Sequence, residues 1–358
     1  MMHVLIACLV IMGCIQLYFW IGQLSTLSSS IDITGSVATD CPRVSLVIAI
    51  KNEEENLKKH LRSWCDQDYP SLDIIIIDDH STDNSSDVLE GFMCQKLRYL
   101  KASTNSRGKK AALSYGISHS DADWIVTTDA DCRPQSDQWI TKLMASRKNA
   151  DMIVGYSPHR RGENWVEQLV SYEAWYVAMQ YISAVLLGRP YMSVGRNLAF
   201  TKSIYEEVKG YTSHDHILSG DDDLFLQEVK QKGKVTYGLS RDSWTWTHAP
   251  SSWSQYIRQK RRHISTATHY SVSDRWILIG VYVSQLAFYL LVFTLAFWDF
   301  RFLGVLLLRF MWISWVAYRS RSVIFLPMHW MLAPVYDMVL CLVNLMVSPY
   351  LAVSQKHW

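Results

Sequence analysis

Four long apolar stretches limit what this chain can become: Val4 to Ile21, Trp276 to Trp298, Phe302 to Tyr318 and roughly Met331 to Val353. A helix crossing a bilayer needs about 20 predominantly apolar residues. A chain built this way is expected to fold its long middle by itself and to place its ends in a membrane. The first stretch reads either as an anchor or as a cleaved leader. It has no basic n-region and no evident small-x-small cleavage site after it, which favours the anchor. Any one of the other three reads equally as a buried core helix, but three in succession at one end argue for spans. Arg319 and Arg321 separate the last two. The positive-inside rule puts that loop in the cytosol. Counting back puts the middle segment in the cytosol and both termini outside, the layout of a multi-pass protein of a cell inner membrane.

Composition narrows the middle segment. Of 358 residues, enough remain for one domain of about 200–250 residues. Net charge is +2, which gives no electrostatic case for a nucleic-acid partner. The 15 Trp and 19 Tyr suit membrane interfaces. The seven Cys (8, 14, 41, 65, 94, 132 and 341) form no CxxC pair and no zinc spacing, and read as reduced, scattered thiols. The expected organisation is an anchor over 1–24, a Ser/Thr-rich linker over 25–42 and a catalytic domain over 43–250. An amphipathic interface helix over 251–275 and a transmembrane region over 276–358 follow.

Within the domain, Val44 to Ile50 and Asp73 to Ile77 are continuous apolar runs, the pattern of strands buried on both faces. Leu97 to Leu100 and Trp124 to Thr128 read as further strands, and Ser193 to Phe200 as another. Helical patterns cover Glu53 to Trp64, Asn84 to Gly91, Lys109 to Ser118, Glu163 to Leu187 and Asp223 to Gln231. Alternating strands and helices predict an α/β fold with a mostly parallel, Rossmann-like sheet. Polar clusters follow three of the strands: Lys51-Asn52-Glu53, Asp78-Asp79 and Asp129-Ala130-Asp131. Open α/β sheets bind ligands outside the carboxyl ends of their strands.

The clusters suit a particular chemistry. Asp129 and Asp131, two apart at a strand end, offer oxygen ligands to a hard divalent cation such as Mg2+ or Mn2+; an exposed turn is the bland reading of such a pair. Asp79 is placed to accept from a nucleobase or ribose, while Asp83 caps the helix that follows. Lys109, opening a helix after Gly108, reaches a diphosphate or is a solvated basic turn. Asp221-Asp222-Asp223 crowds three carboxylates, so at least one pKa is expected to rise, as suits a general base; helix capping accounts for the same cluster. Gln259 to His263 (QKRRH), after Trp253 and Tyr256, reads as a basic amphipathic helix on a membrane surface. Arg309 and Asp337 lie inside apolar stretches and are read as a pair that holds spans together. His248 reads as facing the site or as a structural histidine.

In order, Lys51-Asn52-Glu53-Glu54, Asp78-Asp79, Asp129-Ala130-Asp131, Gly220-Asp221-Asp222 and Gln259 to His263 resemble the series of the membrane-bound family 2 inverting glycosyltransferases of the GT-A fold. The resemblance implies a nucleotide-sugar donor, by family habit a UDP-sugar, and a divalent metal. It implies that Lys51, Asn52, Glu53 and Asp79 bind the nucleoside side of the donor, and that Lys109 touches its diphosphate. Asp129 and Asp131 would serve nucleotide and metal, with Asp131 ahead of Asp129 as direct ligand. Asp222 would be the catalytic base beside Asp221. Gln259 and Arg262 fit the QxxRW signature at the acceptor and diphosphate, but its final Trp is His263 here. The expected acceptor is a membrane lipid or lipid-linked glycan. A processive polysaccharide synthase and a non-catalytic membrane scaffold are the alternatives.

Overall fold

The computed structural model describes residues 2–29, 40–103, 108–217 and 219–347. Most of the expected linker, and the end of the last apolar stretch beyond residue 347, lie outside the described residues. In chain order the elements are α1 (Met2–Ser29), β1 (Val44–Ile50), α2 (Glu54–Cys65), β2 (Leu72–Asp78), α3 (Ser85–Glu90), β3 (Leu97–Lys101) and α4 (Lys109–Ser118). There follow β4 (Trp124–Thr127), β5 (Arg133–Pro134), α5 (Trp139–Ala145), β6 (Met152–Gly155), α6 (Trp165–Leu186), β7 (Leu198–Thr201) and α7 (Lys202–Glu207). The chain continues through α8 (Asp223–Lys232), β8 (Val235–Gly238), β9 (Thr245–Trp246), α9 (Trp253–Ala267), α10 (Val272–Trp298), α11 (Leu303–Ser320) and α12 (Ala333–Val347).

The chain divides into two units. One holds Ile31–Pro158 and Gly188–His248. Its seven-stranded sheet has the order β3-β2-β1-β4-β7-β6-β8. β1 pairs parallel with β2 and β4, and β2 with β3. β7 runs antiparallel to both β4 and β6. The apolar runs behave as expected: Val44, Leu46, Ile48, Ile74 and Ile76 are buried with Leu57, Leu61 and Trp64 of α2. Each such side chain contributes about 1.5–3 kcal/mol on full burial. Because β1, β2 and β4 are parallel, their carboxyl ends share one edge of the sheet. The reversed β7 brings its amino end to that same edge, where Thr127 pairs with Leu198. The strand expected from Ser193 is therefore shorter. Gly195–Asn197 is a 3-10 turn, and only Leu198–Thr201 joins the sheet.

The other unit holds Met1–Ser30, His159–Leu187 and Ala249–Gln355. The aromatic helix α6, counted in the catalytic domain on sequence grounds, thus groups with the apolar helices. Among the described residues, four helices are long and apolar enough to cross a membrane: Met2–Ser25, Val272–Trp298, Phe300–Ser320 and Trp330–Val347. Polar bonds tie α1 into this unit. Gln16 Nε2 donates to the Val281 carbonyl (3.1 Å) and to Ser284 Oγ (2.7 Å), and Trp20 stacks on Trp312. Arg309 and Asp337 form the pair expected of them, at 2.8 Å with both side chains buried.

Candidate active site

The turns after β1 and β2 are interlocked. Asn52 and His80 both have positive φ (57° and 61°), a conformation Asn and His tolerate better than most residues. Asn52 N donates to Ser81 Oγ, and Asn52 Oδ1 accepts from the Thr82 N–H at 2.7 Å. Asp83 caps as expected, and does so twice: one oxygen accepts from the Ser85 N–H opening α3, the other from the Glu54 N–H opening α2. Asp79 is buried and accepts from the Gly108 N–H at 3.0 Å, with His80 Nδ1 at 3.1 Å and Lys51 Nζ at 3.9 Å. Glu53 stands near enough to Asp129 and Asp131 to feel their charge; burial first, then these neighbours, raise its pKa.

Lys109 joins two of the acidic clusters. Its ammonium lies 2.7 Å from Asp129 Oδ1 and 2.6 Å from Asp221 Oδ2. Burial alone would lower its pKa, but the charges of Asp129 and Asp221 outweigh burial and raise it. Asp222, next to Asp221, caps α8: its Oδ1 accepts from the Asp223 N–H at 2.7 Å, and its Oδ2 accepts from the Gly195 N–H at 2.8 Å. Removal from solvent and then the charge of Asp221 push its pKa up, against Lys109 and these two N–H groups. Capping and a perturbed pKa therefore coexist in one residue.

Asp131 is exposed and accepts from Thr247 Oγ1 at 2.8 Å. The two-stranded sheet of β5 and β9, with Arg133 opposite Trp246, brings Thr247 there. Among the described residues, Asp129, Asp131 and Cys132 offer ligand atoms within 4.8 Å of one another. The Cys132 thiol is buried and donates toward Asp131 Oδ1 at 3.4 Å, and soft sulfur is a poor ligand for a hard cation. What remains is a pair of hard carboxylates, a donor set that fits Mg2+ or Mn2+.

The structure thus gathers Lys109, Asp129 and Asp221 directly, with Asp222 and Asp131 as chain neighbours, and links Lys51 to Asp79. Gln259, Arg262 and His263 lie on α9 of the other unit, at i, i+3 and i+4, with Arg262 and His263 exposed. Sequence reasoning missed Gly195 and Thr247. Gly195 approaches closely: an added Cβ would stand 3.3 Å from both Asp221 Oδ2 and Asp222 Oδ2. The Gly-Arg-Asn turn signal before an apolar run was the available clue. Thr247 had none, since its role comes from the pairing of β9 with β5.

A mixed α/β sheet with acidic clusters at one edge defines the class as a GT-A-type domain. Residues 45–209 match the family described as glycosyl transferase family 2. The chain is 23% identical over 235 residues to "Probable glycosyltransferase YdaM" of Bacillus subtilis (strain 168), covering 62% of this chain and 54% of the relative. It is 30% identical over 134 residues to "Undecaprenyl-phosphate 4-deoxy-4-formamido-L-arabinose transferase" of Proteus mirabilis (strain HI4320), covering 36% of this chain and 41% of the relative. The chain spans about half the length of these curated relatives. Among solved structures, the mannosyltransferase PcManGT from Pyrobaculum calidifontis, in complex with GDP-Man and Mn2+, superposes with a TM-score of 0.59. That match has 17% identity and covers 96% of this chain and 99% of that one, a likeness of fold.

Proposed function

We propose that this protein is an inverting, metal-dependent glycosyltransferase that moves a sugar from a nucleotide-sugar to a lipid or lipid-linked glycan acceptor in the membrane. The observation that carries this reading is the Lys109 bridge between Asp129 and Asp221. It places a cation between the carboxylate pair suited to a metal and the carboxylates suited to a base. Asp79, with Lys51, Asn52 and Glu53, binds the nucleoside. Asp129 and Asp131 would hold the divalent cation, which would stabilise charge on the leaving nucleotide diphosphate. Lys109 adds a second positive charge at that diphosphate. Asp222 takes the proton from the acceptor O–H, a glycan hydroxyl or the P–OH of a lipid phosphate, as that oxygen attacks the anomeric carbon from the face opposite the leaving group. Gln259, Arg262 and His263 serve the acceptor or the diphosphate. The domain, as residues 43–250, faces the cytosol. The anchor at 1–24 and the spans within 276–358 lie in a cell inner membrane, joined by the linker at 25–42 and the interface helix at 251–275. The undecaprenyl phosphate in the name of the Proteus mirabilis relative supports a lipid phosphate as the first acceptor to try.

The test is a donor panel of UDP- and GDP-sugars with lipid extract and Mg2+ or Mn2+, following release of nucleotide diphosphate. Transfer is expected for one donor, and chelator should abolish it. Asp222→Asn should lower turnover by about 10²- to 10⁴-fold yet leave nucleotide binding intact. Near-normal turnover by that variant would sink the assignment of the base.

A further inference from the structure

Residues 109 and 110 are consecutive lysines opening α4, and their side chains reach two places on one stretch of chain. Lys109 pairs with Asp221. Lys110 is buried, and its Nζ lies 2.6 Å from the His214 carbonyl oxygen, 3.0 Å from that of Ile217 and 3.0 Å from His214 Nδ1. An ammonium has three protons to donate and no lone pair, so these contacts use all three. The third requires a lone pair on Nδ1, which places the imidazole proton on Nε2. Burial, then the charge of Lys110, pushes His214 down to about 4, so the ring is neutral near pH 7. Its Nε2 is buried with no hydrogen-bond partner among the described residues. Burial pushes Lys110 itself down to about 8, against the pull of Asp221, Asp222 and Asp215. Three bonds to one turn are more than a solvated basic residue would make, and that turn leads directly into Gly220-Asp221-Asp222.

We propose that Lys110 is a positioning residue: it docks the turn at 214–217 onto α4 and so fixes where Asp221 and Asp222 stand beside Lys109 and Asp129. The inference rests on the reading of Asp222 as base.

Lys110→Met keeps the length of the stem and removes all three donors. Lys110→Gln restores an amide donor. The full chain in detergent micelles is followed by amide hydrogen exchange over 211–223 and by steady-state sugar transfer. For Lys110→Met, exchange in this segment should rise while β1 and β2 stay protected. Turnover should fall by about 10- to 100-fold, the size of effect that misplacing a reacting group produces. The nucleotide-sugar KM should stay within about twofold, and the acid limb set by Asp222 should move toward the ordinary aspartate range. Lys110→Gln should recover part of each change. Unchanged exchange overturns the proposal, as does faster exchange with wild-type turnover and an unmoved acid limb. If Lys110→Met loosens the whole domain, Lys110→Gln decides by the same readouts. If the wild-type chain transfers no sugar, the functional reading fails by itself; unchanged exchange then overturns the docking and faster exchange upholds it.

Discussion

The Asp222 carboxylate accepts from two backbone N–H groups and yet has a raised pKa, because lost solvation and the charge of Asp221 outweigh those bonds. For activity the sign is simple. As pH falls through the raised pKa the proposed base becomes protonated, so the acid limb of kcat/KM should lie above the ordinary aspartate value of about 3.9. For stability the sign is opposite to that of a salt-bridged aspartate. The folded chain holds the proton more tightly than the unfolded chain, so stability falls as pH rises between the two pKa values. Ionised Asp222 is then a cost to folding at neutral pH. Asp222→Asn should raise Tm at pH 7 in the same preparation in which turnover is lost; calorimetry showing a lower Tm would refute this electrostatic account. Gly195 acts on the same carboxylate through space. Gly195→Ala puts a methyl 3.3 Å from Asp221 Oδ2 and Asp222 Oδ2. Turnover should drop by up to about 10²-fold, while calorimetric titration with nucleotide diphosphate shows unchanged affinity.

At the scale of elements, some of the site could be read from local pattern and some could not. β1 and β2 are legible because a strand buried on both faces must be apolar at every position, and Val44 to Ile50 is. The clusters at Lys51, Asp79 and Asp129 follow, since parallel strands put their carboxyl ends on one edge. β7 is different. Its direction depends on pairing with β4 and β6, a tertiary choice that leaves no mark in Leu198–Thr201 itself. Gly195 reaches the Asp221 and Asp222 carboxylates through that reversal. α6 misleads for a related reason: its aromatic stripe shows that a face is buried but not against what. The partner includes α9, where Glu173 accepts from Tyr256 OH at 2.6 Å and pairs with the buried Lys260. Tyr256 and Lys260, at i and i+4, fix the rotation of the helix that carries Gln259, Arg262 and His263. Glu173→Ala should cost about 1.5–3 kcal/mol, the scale of hydrogen bonds to a charged group, measured by thermal unfolding in detergent. Lys260→Met in that background should recover part of the loss, because it removes the buried ammonium left unpaired.

Across the membrane unit, four helices meet at one carboxylate. Asp337 of α12 accepts from Arg309 of α11 (2.8 Å), Tyr289 and Gln285 of α10 (2.5 and 2.9 Å) and Tyr172 of α6 (3.1 Å). Arg309 in turn donates to Gln16 of α1 at 3.2 Å and lies over the Trp20 ring. A charge inside a span costs enough that it persists only when paired, and here the partners of Asp337 come from three other helices, α6, α10 and α11. The network therefore specifies which helices assemble, and it binds α1 to the C-terminal spans although most of the chain separates them. Removing one charge leaves the other buried and unpaired, a loss of about 3–5 kcal/mol. Removing both leaves only the neutral Gln16, Tyr172, Gln285 and Tyr289 groups, which cost less to bury than a lone charge. Arg309→Met and Asp337→Leu should each lower the melting temperature in detergent sharply, and the double variant should be more stable than either single one. If the double variant loses the sum of the two single losses, the charges act independently and the knot is not what holds the helices together.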